Sequence, residues 1–366
     1  MSGRLPLTFR ERIRISMKIH ADFECGNIRF LREEGQDIYL QNEMRGTART
    51  SQYYWAFCVE GAAGRTLTFH LNEEWVGPLG AAVSHDLIDW HWTESRDDGG
   101  TFTYTFGENE DRVYFAHDLV YTPTRLFTVL GELGIRTETF CLTNKGREVP
   151  CFRIGEGKRN MVLASRHHSC ESSGNYVLEG MIREYLSAPI PDTSLLVVPM
   201  VDYDGVCEGE QGKGRAPYDH NRDYVTDCIY PETGAIMAYA KDRKIPYAFD
   251  FHAPSHCVGR SNRVFVVRKF PALTERFDTF GRLLEKYSGG DAMGYDMAYD
   301  VAPNSGWNKD ETPTFSTFFN VRPECELALT LEVTHFGREE DRVTAEKLLG
   351  TGRAFCRAVA QFMQGK

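Results

Sequence analysis

The chain has 366 residues, enough for two domains, and at 42% hydrophobic and 26% charged it excludes disorder as the dominant state. Fifty-two acids against 42 bases leave a net charge of −10, which argues against a nucleic-acid protein held by bulk positive charge. No run of about 18 apolar residues is present, so no membrane span is predicted.

Residues 17–120 read as short strands. MKIHADF, NIRFLRE, YYWAFCVEG, GRTLTFHL, FTYTFGE and RVYFAHDLVY are rich in aromatic and β-branched residues, and Gly, Asn and Asp punctuate them. This spacing fits an antiparallel β-sandwich or a small barrel, and the β-sandwich is the expectation for a first domain over residues 1–125. Trp55, Trp75, Trp90 and Trp92 are expected in its core and interface rather than on a sugar-binding face. VYTPTR, with Pro123, reads as the exit from this domain.

From residue 126 to 366 strands alternate with helices. RNMVLASRHH is a strand running into a polar turn, and GNYVLEGMIREYLS follows with helical spacing. SLLVVPMV is a near-continuous apolar strand, as expected when both faces are buried. ETGAIMAYAKDR is predicted as helix, PYAFDFHA and RVFVVRKF as strands, FPALTERFDTFGRLLEKYS as helix and ECELALTLEV as strand. REEDRVTAEKLLGTGRAFCRAVAQFM closes the chain as a helix, with Gly350 and Gly352 marking a potential break. The pattern predicts an α/β domain on a mainly parallel or mixed sheet, with its site beyond the carboxyl ends of the strands.

MSGRLPLTFRERIRI lacks the apolar core of a secretory signal. The ten cysteines form no CxxC pair, which suggests reduced thiols in a cytoplasm.

Four strand ends carry candidate chemistry. In Arg166-His167-His168-Ser169-Cys170-Glu171, His168 and Glu171 stand at i and i+3, so one turn can aim both at one ion. Asp250-Phe251-His252 ends another apolar strand and offers a further imidazole; the plainer reading is a core histidine with satisfied nitrogens. Asp219-His220-Asn221-Arg222 presents a guanidinium fork suited to a carboxylate, or else a structural turn with a surface ion pair. Glu332 ends the last buried strand, where a carboxylate is costly unless it is paired or working. Two imidazoles and a carboxylate with one open position would make a catalytic zinc site, and a nearby glutamate could take a proton from water. Ser172 or Ser173 is expected to cap the following helix, and Cys170 to be a bystander.

Together these segments resemble the zinc metallocarboxypeptidases, and most of all their cytosolic carboxypeptidase branch, whose bacterial members carry a β-sandwich before the catalytic domain. RHHSCESSGNYVLEG is similar to the family's zinc motif and its following helix, VVPMVDYDGV to its strand and P-x-x-N-P-D-G turn, DHNRDY to its D-x-N-R motif, FDFHAPSH to the segment of the last zinc histidine, and ALTLEV to the strand of the catalytic glutamate. GNI and YYWAFCVEGAAGRTLTFHL resemble the branch's sandwich strands. The resemblance implies one zinc ion on His168, Glu171 and His252, Glu332 as general base, Asn221 and Arg222 as anchors for a substrate's terminal carboxylate, and Asp219 as an acceptor orienting His168. It implies a peptide or protein C-terminus as substrate, with no nucleic-acid or membrane partner. A zinc deacylase of acyl-amino acids and a non-catalytic zinc-stabilised binding module are the alternatives. The sequence departs from the family pattern at Tyr203 and at Gly209-Glu210-Gln211-Gly212-Lys213-Gly214-Arg215, where the carbonyl-polarising arginine is not matched in place. Lys213 or Arg215 is the candidate replacement, and Tyr295 and Tyr299 are candidates for the tyrosine that closes over substrate.

Overall fold

Period-two alternation builds the front of the chain. In the computed structural model, which describes residues 16–46, 53–71, 76–95, 100–254 and 259–365, nine short strands form two facing sheets. They are β1 (Lys18–His20), β2 (Arg29–Glu34), β3 (Asp37–Gln41), β4 (Ala56–Glu60), β5 (Thr66–Leu71), β6 (Ala82–Ser84), β7 (His91–Trp92), β8 (Thr101–Thr105) and β9 (Arg112–Ala116). One sheet runs β1-β4-β9-β6-β7 and the other β2-β3-β5-β8. Leu67, Phe69 and Leu71 of β5 point inward while the residues between them stay half-exposed. Phe57, Phe69, Phe102 and Phe115 fill the space between the sheets, with Phe69 and Phe102 stacked at 4.9 Å. The sandwich differs from the expectation in one pair: β3 and β5 run parallel. Trp55 and Trp90 are buried, and Trp92 donates its indole N–H to the Val343 carbonyl of the second domain at 2.8 Å. Trp75 lies outside the described residues.

Pro123, which follows the last sandwich strand, opens a helix. Helix α1 (Pro123–Glu132) is capped by Thr122, whose Oγ1 accepts the Arg125 N–H at 3.0 Å, and proline suits its first turn because no backbone donor is lost there. The sheet that follows contains β10 (Glu138–Leu142), β11 (Glu148–Ile154), β12 (Arg159–Ser165), β13 (Thr193–Val198), β14 (Tyr247–His252), β15 (Phe265–Val267) and β16 (Leu327–Glu332), in the order β10-β11-β13-β12-β14-β16-β15. Its centre, β13-β12-β14-β16, is parallel, and β10, β11 and β15 join antiparallel at the edges. Every residue of β14 and β16 is buried, as helices on both faces require. The later helices are α2 (Ser172–Ser187), α3 (Tyr203–Cys207), a short turn at the strand ends, α4 (Pro231–Lys241), α5 (Thr274–Tyr287), α6 (Phe315–Asn320) and α7 (Ala345–Gln364). One face of the sheet is covered by α2, α5 and α7 and the other by α4 and α6.

The closing helix begins later than its sequence suggests and does not break. Gly337–Arg338 and Asp341–Arg342 form a small hairpin, and Thr344 then caps α7 by accepting the Lys347 N–H. The helix runs straight through Gly350 and Gly352 because both are contact points. A Cβ on Gly352 would stand 2.0 Å from the Val177 carbonyl of α2, and one on Gly350 would stand 1.8 Å from the Asp291 carbonyl. Gly352→Ala gains about 1 kcal/mol of helix propensity but forces a backbone-to-backbone clash. We expect a net loss of about 1–3 kcal/mol by urea denaturation. A stabilised variant would disprove the close α2–α7 contact.

Candidate metal centre and its cleft

Parallel pairing gathers the chemistry. β12, β14 and β16 are neighbours in register, with Ser165 opposite Phe251 and His252 opposite Glu332. Their carboxyl ends therefore deliver the His167–Glu171 turn, His252 and Glu332 to one place. The turn is built by Arg166, which sits at φ +61° and is fully buried. Its guanidinium donates to the Ser169 carbonyl at 2.6 Å, the Tyr121 carbonyl at 3.1 Å, Ser172 Oγ at 3.0 Å and Asn175 Oδ1 at 3.2 Å. Those bonds hold a left-handed conformation that a non-glycine residue adopts only under constraint. The expected serine cap does not form: Ser172 Oγ accepts from Arg166, and Ser173 Oγ donates to the Thr334 carbonyl at 3.1 Å.

His168, Glu171 and His252 offer ligand atoms within 4.8 Å of one another. His168 Nδ1 is 2.8 Å from Glu171 Oε1, and His252 Nδ1 is 2.6 Å from Glu171 Oε2. Despite that proximity Glu171 Oε2 is buried without a hydrogen bond, the arrangement expected of two groups aimed at a shared cation rather than at each other. The outer ring nitrogens face acceptors. His168 Nε2 lies 3.5 Å from Asp219 Oδ1, and His252 Nε2 lies 2.6 Å from Asp250 Oδ2. Such partners fix the tautomer and aim the inner nitrogen at a metal. Donor type, spacing and orphaned oxygen together fit zinc. A second group, His167, Asp250 and His252, also lies within that spacing, but its members are satisfied internally. His167 Nδ1 bonds Asp250 Oδ1 at 2.9 Å, and its Nε2 bonds the Tyr224 hydroxyl at 2.7 Å.

His168 and Glu171 line a cleft of about 440 Å³, whose walls also include Lys213, Asp219, Arg222, Arg260, Trp307 and Glu332. Glu332 Oε2 is buried and makes no hydrogen bond. Burial, and then the neighbouring Glu171 carboxylate, push its carboxyl above the ordinary glutamate pKa, a direction suited to a base that must release its proton again. For Glu171 burial acts upward as well, but His168, Lys213 and His252 outweigh it and hold the carboxyl well below the usual range.

Of the two substitute cations, Lys213 enters the site and Arg215 does not. Lys213 Nζ is 2.5 Å from Glu171 Oε1 and donates to the Ala253 carbonyl at 3.0 Å. Arg215 pairs with Asp202 and Glu210, each at 2.6 Å. Its segment packs beneath the His168 turn: Ser169 Oγ donates to the Glu210 carbonyl at 2.8 Å, and a Cβ at Gly212 (φ +76°) would meet Ser169 N at 2.4 Å. Arg222 lines the cleft. Asn221 is turned inward, where Oδ1 accepts the Phe315 N–H at 3.0 Å and Nδ2 lies 3.2 Å from His252 Nε2. Cys170 is buried, 3.5 Å from the Tyr53 hydroxyl, and burial raises its thiol pKa to about 12. The Tyr295 hydroxyl is held by Asp300 at 2.9 Å, and Tyr299 stacks under Arg263 at 3.8 Å. Of the two aromatic residues on the cleft wall, Phe265 is buried and Trp307 is 58% exposed, and the polar run NSGWNKDE gives no reason to single out the latter. Asp250 was also overlooked as a partner for His252. Its place two residues back, on the same strand face, was the available clue.

Without metal, burial lowers the pKa of both ligand histidines, but the carboxylates overcome it: Glu171 and Asp219 raise that of His168, and Asp250 and Glu171 raise that of His252 well above 6.5. A metal needs neutral rings. Zinc uptake at neutral pH is therefore expected to release protons, and apparent affinity to weaken as pH falls through the raised values. Calorimetric titration in buffers of different ionisation enthalpy measures this; a zero proton count would contradict it.

Comparison with known proteins bears on the fold. Residues 19–117 match the model of the cytosolic carboxypeptidase N-terminal domain. An uncharacterised protein of Zymomonas mobilis is 24% identical over 258 residues, covering 65% of this chain and 68% of its own. Cytosolic carboxypeptidase 2 of Danio rerio is 24% identical over 309 residues, covering 69% of this chain, which spans only 42% of that longer protein. The crystal structure of a metallo-carboxypeptidase from Burkholderia cenocepacia superposes with a TM-score of 0.79 at 19% identity, over 96% of this chain and 100% of that one. None of the described helices is long and apolar enough to cross a membrane. Residues 19–117 are thus similar to the cytosolic carboxypeptidase N-terminal domain, and the chain as a whole has the fold of a metallo-carboxypeptidase.

Proposed function

We propose that the chain is a zinc carboxypeptidase that removes a residue from the C-terminus of a peptide. The observation that carries this reading is the His168–Glu171–His252 group, two of whose members, His168 and Glu171, line the same cleft as Glu332, whose Oε2 makes no hydrogen bond. Bound zinc supplies Lewis acidity, making a substrate carbonyl more electrophilic and water more acidic. Glu332 accepts a proton from the attacking water and passes it to the leaving amine, so that one water yields a carboxylate and an amine. Lys213, which Glu171 keeps charged against the opposing effect of burial, places a cation beside the reacting carbonyl. Arg222 at the cleft wall receives the free terminal carboxylate, which makes the reaction exopeptidic, whereas Asn221 is turned inward toward Phe315 and His252 and takes no part in that binding. Asp219 and Asp250 keep the ligand rings aligned. The free thiols of the described cysteines are consistent with a reducing, cytoplasmic setting.

The test is residue release from a peptide panel carrying free or amidated C-termini, run beside acyl-amino acids. We expect release from free C-termini alone, lost on chelation and restored by zinc. Cleavage restricted to acyl-amino acids would replace the peptidase reading with a deacylase.

A further inference from the structure

The chain just after Glu332 is held from both domains. Because Glu332 Oε2 makes no hydrogen bond, its placement depends on the backbone of β16 and of the residues that follow. Val333 N–H donates to the His252 carbonyl at 2.9 Å. Two residues on, His335 is buried, with Nε2 3.1 Å from the Pro254 carbonyl and Nδ1 2.7 Å from Asp118 Oδ2. Asp118 belongs to the front of the chain, two residues beyond β9, and is 1% exposed. One imidazole thus ties together the segment bearing Glu332, the loop after His252 and the sandwich. Tyr53, His117 and Phe336 pack around it with ring centroids at 5.8, 5.4 and 6.0 Å. In such dry surroundings a carboxylate–imidazole bond is directional, and breaking one side is costly.

We propose that Asp118 and His335 are positioning residues for hydrolysis: the pair fixes where Glu332 stands, and the sandwich is thereby part of the working site. This rests on the reading of Glu332 as general base. Misplacement of a reacting group by about 1 Å can cost about 10²-fold.

The test uses the full zinc-loaded chain with Asp118→Asn, His335→Gln, the double variant and Asp118→Glu. Zinc content, kcat and KM on a C-terminal peptide are measured, with hydrogen exchange across residues 333–336. We expect unchanged zinc, KM within about twofold, kcat lower by about 10- to 100-fold in each single variant, a double variant no worse than the poorer single, and partial recovery in Asp118→Glu. Exchange across residues 333–336 should quicken. Unchanged kcat in folded variants, a loss confined to KM, multiplying effects in the double, or failure of both conservative variants to fold would overturn the proposal. So would a second metal ion lost with Asp118→Asn, since ligand atoms of His117, Asp118 and His335 also lie within 4.8 Å of one another. Exchange needs no turnover. A wild-type chain without peptidase activity would therefore refute the general-base reading, while exchange still reports whether the pair holds this segment.

Discussion

Glu332→Gln is expected to retain zinc and lose turnover by at least about 10²–10⁴-fold, the usual contribution of a general base. Gln has the same size and a polar tip but cannot take a proton from water. Position argues for a large effect. Glu332 ends a fully buried strand directly opposite His252, lines the cleft and has one oxygen without a partner. Burial and the Glu171 charge raise its pKa, so the residue carries an electrostatic cost that a purely structural glutamate at this depth would relieve by hydrogen bonding. The variant should fold at least as well as wild type, because a neutral amide replaces a buried carboxylate. Steady-state kinetics with parallel metal analysis decide the matter. A zinc-replete variant within about tenfold of wild-type kcat would remove Glu332 from the chemistry.

The second large effect separates two overlapping clusters. His168→Ala and His252→Ala should each abolish stoichiometric zinc, because a three-ligand site that loses a ligand retains too little affinity. His167→Ala should keep it, because both nitrogens of His167 are occupied by Asp250 and Tyr224. Asp250→Asn is intermediate. It removes the acceptor 2.6 Å from His252 Nε2 while leaving the ligand, and should weaken zinc by about 10- to 100-fold. Competition with a chromophoric chelator measures all four. Zinc lost with His167→Ala but kept with His168→Ala would move the ion to the other cluster.

Much of this organisation was legible in the residues. Apolar runs such as SLLVVPMV and ALTLEV announced buried parallel strands, because burial on both faces erases the alternation that a one-sided strand shows. The i, i+3 spacing of His168 and Glu171 announced one turn aimed at one point. What misled were local signals that tertiary contacts overrode. Gly350 and Gly352 read as a helix break, yet they are where α7 meets its neighbours most closely. β3, β10 and β11 have no counterpart in the sequence reading, and β6 and β7 were missed because they are only 3 and 2 residues long and take their shape from neighbouring strands.

Residue types and their spacing along the chain determined the inventory: which of the apolar segments are buried strands, which ends carry imidazoles and carboxylates, and that the first third of the chain is built of short strands. Only the tertiary structure decided which of Lys213 and Arg215 reaches Glu171, that Asn221 faces His252 and Phe315, and that Asp118 meets His335 across 217 positions of chain. The physical reason is range. Periodicity and turn chemistry act between residues a few positions apart, whereas the bonds that select among several chemically equivalent side chains form only after distant strands have closed into register.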